Sequence, residues 1–280
     1  MGDILNGVIQ GPNKRLITYD LFTPQKSSQA PVIIFCHGYK GFKDWGAWTL
    51  LGKAFALNGI AFFKFNFSNN GVTRHSPDEF NDLEAFGLNN YTKELSDLKA
   101  ILDWFSETYK TESAFDLENI TLLGHSRGGG IALITASEDN RISKLVTLSS
   151  VSDYKSRFPV GKPLQDWSNT GIYHVRNGRT NQLMPHKYQF YQDFIANEER
   201  LTISRAVKSI NIPFLIIHGD QDTSVDIIEA RKLHSWSQNS FLFVVRGANH
   251  VFGAKHPWYE PHLPTCLALV LKKIVQFINK

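Results

Sequence analysis

The residues Gly124-His125-Ser126-Arg127-Gly128 form a G-x-S-x-G motif. A largely apolar run, Ile120 to Leu123, precedes the motif, and an apolar-rich stretch, Ile131 to Ala136, follows it. This order predicts a buried strand that turns sharply into a helix. Such a turn holds its central serine in a strained backbone conformation that costs roughly 1–3 kcal/mol. Glycines flank the serine because a side chain there would collide with the neighbouring helix or strand. The pattern predicts a serine hydroxyl exposed above a sheet.

Two later stretches each end a predicted buried strand in a polar loop. Pro213 to Ile217 leads into a loop with Asp220 and Asp222, and Phe241 to Val245 leads into a loop that presents His250. Sites in open α/β sheets form at the carboxyl ends of the strands. A serine hydroxyl needs a base with a pKa near 7, and a carboxylate holds the histidine ring and stabilises its cation. The chain order of serine, acid and histidine is the order expected of a nucleophile elbow.

These three motifs span most of the chain and resemble those of the α/β-hydrolase family. The resemblance implies an α/β fold with a mostly parallel central sheet, flanking helices and a cap insertion. It implies that Ser126 is the nucleophile and His250 the general base and acid. It favours Asp222 over Asp220 as the acid, because the family pattern H-G-x-x-D has an apolar residue three positions further on, here Val225. Asp220 is then expected to be a turn residue.

The resemblance also implies an oxyanion hole. In the family, the loop after an early strand supplies one backbone N–H group, here that of Tyr39, and the residue after the nucleophile supplies the other, here Arg127. One such donor is worth roughly 10²–10³ in rate. His37 is expected to be structural rather than a proton carrier. The loop Asn66 to Gly71 is similar to that of cinnamoyl-esterase-like and serine-peptidase-like branches.

The rest of the chain predicts one core and one insertion. Strands alternate with helices in residues 1–150 and 210–280, which predicts a hydrolase core with right-handed crossovers. An antiparallel strand pair is expected around the turn Gly11-Pro12-Asn13. Residues 151–209 carry no strong strand signal and are rich in aromatic residues, so we expect them to form a cap over Ser126. Trp167, Tyr173 and Phe190 are expected to line the substrate pocket.

The composition indicates which broad class of protein this chain belongs to. The chain has 280 residues, of which 42% are hydrophobic and 20% charged, and a formal net charge of +4. These values are typical of a globular protein, and no dense Lys/Arg cluster suggests a nucleic-acid partner. The apolar runs are too short to cross a bilayer, and no secretory signal is visible, so we expect a cytoplasmic protein without a membrane partner. Cys36 and Cys266 are expected to be reduced. No histidine spacing suggests a metal site, and no motif suggests a cofactor.

Four interpretations of the chemistry stay open. The favoured one is hydrolysis of a small or medium carboxylic ester, with hydroxycinnamate esters as one candidate class. The second is a serine peptidase for short or acylated peptides, which needs an acidic anchor. Glu198-Glu199 is a weak candidate for that anchor, because adjacent residues of a helix point in different directions. The third is an acyltransferase or thioesterase, and the fourth is a binding module without catalysis. The expected partner is a small-molecule ester or a short peptide.

Overall fold

An eight-stranded sheet forms the centre of the computed structural model, which describes residues 2–12, 14–25 and 28–280. Its strands are β1 (Ile4–Gln10), β2 (Leu16–Phe22), β3 (Ala30–Cys36), β4 (Ala61–Phe65), β5 (Phe115–His125), β6 (Ile142–Leu148), β9 (Phe214–Gly219) and β10 (Ser240–Val245). Their spatial order is β1-β2-β4-β3-β5-β6-β9-β10. The neighbours from β4 to β10 are parallel, whereas β2 is antiparallel to both β1 and β4.

Helices cover both faces of this sheet. The helices are α1 (Trp48–Leu57), α2 (Leu83–Gly87), α3 (Tyr91–Tyr109), α4 (Arg127–Glu138), α5 (Lys162–Thr170), α6 (Gln189–Ala196), α7 (Glu198–Leu201), α8 (Ile203–Ser209), α9 (Ile227–Trp236) and α10 (Thr265–Ile278), with a short 3-10 helix at Lys155–Arg157. Helices α3, α4, α8 and α9 pack on one face, and α1 and α10 on the other. The predicted fold class, a mostly parallel sheet with flanking helices, is confirmed.

Strand β3 illustrates why the sheet is buried on both faces. Val32 and Ile34 belong to one apolar cluster, and Ile33 and Phe35 belong to the cluster on the opposite face. Successive side chains of a strand point to opposite faces, so a strand covered on both sides has a continuous apolar sequence. Because the strands from β3 to β10 are parallel, the carboxyl ends of β3, β5, β9 and β10 lie along one edge of the sheet.

The segment between β6 and β9 contains one feature that the sequence did not predict. It holds an antiparallel ribbon of two strands, β7 (Ile172–Arg176) and β8 (Leu183–Lys187), in a region whose sequence carries no strong strand signal. Strand β7 is largely exposed, so it lacks an apolar run. Strand β8 contains Pro185, which pairs with His174 and is tolerated because each strand of a two-stranded ribbon has a free edge. The division into a core and a cap at 151–209 stays a prediction.

Three smaller expectations concern the cysteines, the first turn and the membrane. Cys36 lies buried in β3 and Cys266 is half-buried in α10, and both are free thiols. Asn13 of the predicted first turn lies outside the described residues. Within the part of the chain that the structure describes, no helix combines the length and apolar character needed to span a bilayer.

Candidate active site

Ser126 lies at the sharp turn between β5 and α4. Its backbone has φ +55° and ψ −120°, a conformation that is strained for a residue with a side chain. Its N–H donates to the carbonyl of Leu148 at 2.9 Å. A Cβ atom on Gly124 would lie 2.4 Å from the carbonyl oxygen of Gly128, and one on Gly128 would lie 2.4 Å from that of Cys36. The packing therefore requires glycine at both positions that flank the serine.

Asp222 and His250 contact each other at the ends of two adjacent strands. Asp222 follows β9 and His250 follows β10, and the Oδ2 atom of the aspartate lies 2.7 Å from Nδ1 of the histidine. The Asp222 side chain is fully buried and the His250 side chain is 19% exposed. The carboxylate can therefore orient the ring and leave Nε2 free for proton transfer.

Several donors hold Asp222 in its ionised form. The backbone N–H groups of Ser224 and Val225 donate to Oδ1 at 2.8 and 2.9 Å, and Nε2 of His218 lies 3.3 Å from Oδ2. Burial raises the pKa of Asp222, but the hydrogen bonds from His218, His250 and Val225 outweigh it and keep the pKa below its usual range. The group is a carboxylate at neutral pH.

The neighbouring aspartate has a different contact. Asp220 accepts a hydrogen bond from the backbone N–H of Gly247 at 2.7 Å, in the loop that carries His250. Of the two candidates for the acid, the structure brings Asp222 to His250 and uses Asp220 to hold the turn.

Ser126 and His250 line the same cavity. No hydrogen bond between their side chains is recorded among the described residues, and such bonds are often long before substrate binds. His125 connects the two loops instead, because its Nε2–H donates to the carbonyl of His250 at 3.0 Å. Burial and the nearby His250 lower the pKa of His125 to about 3, so its ring is neutral. The side chain of His125 thus links the elbow to the backbone of the loop that carries His250.

The two residues expected to supply the oxyanion donors, Tyr39 and Arg127, line the same cavity as Ser126. Tyr39 follows β3 and Arg127 begins α4, and no hydrogen bond is recorded from either backbone N–H to another described residue. His37 packs behind this loop, where its Nδ1–H donates to the carbonyl of Gly38 at 2.9 Å. Burial lowers the pKa of His37 to about 4, so its ring is neutral at pH 7. A buried neutral ring is consistent with the structural role expected for His37.

The cavity above Ser126 has a volume of about 610 Å³. All three aromatic residues expected at the pocket, Trp167, Tyr173 and Phe190, line it. Trp167 is buried and donates through its indole N–H to the carbonyl of His186 at 2.8 Å. The segment that follows β6 therefore forms one wall of the cavity.

His186 joins that wall to the oxyanion loop. The hydroxyl of Tyr39 hydrogen-bonds to Nε2 of His186, on β8, at 2.7 Å. Burial, together with the positive charges of Arg127 and Lys40, lowers the pKa of His186 to about 3. The neutral imidazole can therefore accept the tyrosine hydrogen bond.

The side chain of Arg127 is buried in the cavity wall. Its Nε donates to Glu94 at 3.0 Å, and its Nη2 lies 3.0 Å from the other oxygen of the same carboxylate. The guanidinium also lies 4.6 Å from the ring centre of Tyr91 and 5.0 Å from that of Phe190. A paired arginine between aromatic rings is a rigid wall next to the nucleophile.

Sequence reasoning missed several members of this wall. Tyr91 and Tyr154 line the cavity with Ser126, Glu94 pairs with Arg127 in its wall, and His186 lies on the unpredicted ribbon. One signal was available for Glu94: it is a charged residue one helical turn from the apolar residues Tyr91 and Leu98, on the face of α3 that is buried. A buried charge of this kind requires a partner.

Comparisons with known proteins agree with this architecture. A family model described as alpha/beta hydrolase fold matches residues 31–177, just over half of the chain. The quorum-quenching protein AidA of Acinetobacter baumannii is 26% identical over 160 residues, which cover 55% of this chain but only 48% of AidA. A Haemophilus influenzae protein named as a predicted esterase/lipase is 22% identical, over 95% of this chain and 90% of its own. The structure of Est1E from Butyrivibrio proteoclasticus with ferulic acid bound has a TM-score of 0.72, 19% identity and 98% coverage of both chains.

Proposed function

Since the chain belongs to the α/β-hydrolase family, we propose that it is a serine hydrolase that cleaves a carboxylic ester through an acyl-enzyme on Ser126. The observation that carries the proposal is the contact of 2.7 Å between Asp222 and His250 at the cavity that Ser126 also lines. A buried carboxylate, a histidine and a serine on a strained turn are the groups that acyl transfer requires.

The reaction has two halves. In the first, His250 takes the proton from Ser126 as Oγ attacks the ester carbonyl carbon. The N–H groups of Tyr39 and Arg127 stabilise the resulting oxyanion. The carbon–oxygen bond to the alcohol breaks as His250 returns the proton to the leaving oxygen. In the second half, water attacks the acyl-enzyme, and His250 takes its proton and passes it to Oγ. The products are the alcohol and the carboxylic acid.

The aromatic lining of the cavity supports hydroxycinnamate esters as a candidate substrate class. Trp167, Tyr173 and Phe190 offer flat apolar surface to an aryl ring. The likeness in fold to Est1E with ferulic acid bound is consistent with this class. The peptidase alternative has less support, because the cavity lining among the described residues includes no carboxylate that could hold a peptide ammonium. Glu198 instead pairs with Lys155 at 2.7 Å.

The first experiment measures hydrolysis of p-nitrophenyl esters from acetate to decanoate, of methyl ferulate and of an aminoacyl p-nitroanilide. We expect ester turnover by the wild type, and a loss on the order of 10⁶ in Ser126→Ala. Ser235→Ala is the matched control, since this serine is exposed on α9 and should leave the rate unchanged.

Two results would change the proposed function. Faster cleavage of the anilide than of the esters would favour a peptidase. Absence of turnover on every substrate, together with no labelling of Ser126 by a fluorophosphonate, would refute the catalytic proposal and favour a binding module.

A further inference from the structure

The cavity beside Ser126 has an uneven distribution of charge. Lys40, Arg127 and Arg157 line it, and no aspartate or glutamate does so among the described residues. Arg127 is paired with Glu94, and Arg157 is paired with Glu229. Lys40 has no carboxylate partner within the ranges that the structure describes. One cation at this cavity is therefore uncompensated.

The ammonium group of Lys40 is also poorly satisfied by hydrogen bonds. It is half-buried, and its one recorded hydrogen bond goes to the backbone carbonyl of Arg176, on β7, at 3.4 Å. This length is outside the usual range for such a bond. The Nζ atom lies 5.1 Å from the ring centre of Tyr39. Burial lowers the pKa of Lys40, which reflects water lost from the charged group without an anion in its place. An ammonium has three donors, so capacity for a ligand remains.

The backbone at Lys40 adds an independent observation. Its φ is +53°, in the left-handed region that favours glycine. The residue occupies the third position of a turn that the N–H of Gly41 closes onto the carbonyl of Gly38 at 3.0 Å. A positive φ at this position normally selects glycine or asparagine. A lysine held there places its side chain at the cavity at the expense of backbone strain, and strain of this kind concentrates at ligand sites.

We propose that Lys40 forms a subsite for a carboxylate carried by the ester substrate, so that the enzyme prefers anionic esters to neutral ones of the same shape. The inference rests on the proposed function, because it identifies a substrate class for the same cavity. A carboxylate would replace the water that the ammonium loses and would pair with the one uncompensated charge at the site. Since Lys40 follows Tyr39 directly, the anionic group would lie beside the oxyanion loop, on the side that faces β7.

The test compares two matched pairs of esters. 4-Nitrophenyl hydrogen adipate and 4-nitrophenyl hexanoate differ by a carboxylate on the acyl side, and 4-carboxyphenyl hexanoate and phenyl hexanoate differ by one on the alcohol side. In at least one pair, we expect Lys40→Met to lower kcat/KM for the anionic ester about tenfold relative to the neutral one. We expect the wild-type preference to weaken as NaCl is raised, because salt screens a partly exposed charge.

Two control variants separate charge from structure. Lys40→Arg keeps the charge and should retain most of the preference. Lys272→Met removes an exposed lysine on α10, outside the cavity lining, and should change neither ester. Equal losses for the anionic and neutral esters of both pairs in Lys40→Met would overturn the proposal, because the lysine would then only hold the loop against β7. Unchanged rates for all four esters would overturn it as well.

A binding measurement tests the Lys40 subsite independently of ester hydrolysis at Ser126. In Ser126→Ala, calorimetric titration with the same four esters measures affinity without turnover. We expect tighter binding of the anionic member of one pair, and loss of that difference when Lys40→Met is added. If the preference appears here but wild-type protein hydrolyses no ester, the proposed function fails and the subsite stands. If Ser126-dependent hydrolysis occurs but no binding preference does, the subsite fails and the proposed function stands.

Discussion

At the scale of single residues, Asp222 shows how local geometry sets a chemical role. Two backbone N–H groups occupy one of its oxygens, and His218 and His250 converge on the other. Because its side chain is fully buried, the carboxylate is shielded from solvent. Its charge is therefore directed at the His250 ring, where it can stabilise the imidazolium that forms during proton transfer.

We predict that Asp222→Asn lowers kcat by roughly 10⁴ and leaves KM nearly unchanged. The amide can present an N–H to Nδ1, which favours the wrong tautomer of His250. Steady-state kinetics on the best p-nitrophenyl ester measures the effect. The control is Asp220→Asn, which keeps an oxygen for the N–H of Gly247 and should stay within a few-fold of wild type. A larger loss in the control than in Asp222→Asn would reverse the assignment of the acid.

At the scale of elements, strand β8 connects the cavity wall to the oxyanion loop. His186 on β8 accepts from the indole of Trp167 through its carbonyl and hydrogen-bonds to Tyr39 through its ring. The position of the Tyr39 backbone N–H thus depends on an element nearly 150 residues further along the chain. Movement of the β7–β8 ribbon would alter both the wall of the cavity and the oxyanion hole.

We predict that Tyr39→Phe and His186→Phe each lower kcat several-fold, and that the double variant loses less than the product of the two. Each single change leaves a buried polar group without its partner, whereas the double change removes both. We expect a coupling free energy of about 1 kcal/mol. Tyr259→Phe, at a site that is 85% exposed, is the matched control. Additive effects of the two changes would show that the hydrogen bond does not position the loop.

At the scale of the whole molecule, burial of neutral histidines makes stability depend on pH. Burial lowers the pKa of His37 to about 4, and that of His125 and His186 to about 3, from an unfolded value near 6.5. Asp97 acts in the opposite direction, because burial raises its pKa to about 7. Between pH 4 and 6.5, unfolding lets the three histidines take up protons and Asp97 release one.

We predict that the free energy of unfolding falls as the pH is lowered from 6.5 to 5. Each depressed histidine contributes stability that is present above pH 6.5 and is lost below it, at up to about 1.4 kcal/mol per pH unit. Asp97 offsets one of the three, so these groups give a net slope approaching about 2.7 kcal/mol per pH unit. Urea unfolding at several pH values measures the slope. Asp97→Asn removes the offset and should steepen it by about one proton, and an unchanged slope in this variant would contradict the proposed balance.

Much of the architecture was predictable because it depends on periodicity and chain order. The strands predicted at Pro213 to Ile217 and at Phe241 to Val245 match β9 and β10. The strand and helix predicted on either side of Ser126 match β5 and α4. Alternating strands and helices predicted a mostly parallel sheet, whose carboxyl ends lie along one edge. The β7–β8 ribbon was missed because each of its strands has only five residues, neither forms a continuous apolar run, and Pro185 interrupts β8.

The sequence by itself determined the type of fold, the turn at Ser126 and the candidates for acid and base, since each depends on residues close together in the chain. It left Asp220 and Asp222 as alternatives, because two aspartates two residues apart differ only in what they face in space. Tertiary structure alone brought Asp222 to His250, Glu94 to Arg127 and Lys40 to an unpaired position at the cavity. These relations join segments far apart in the chain, so burial and charge compensation become visible only once the segments are packed together.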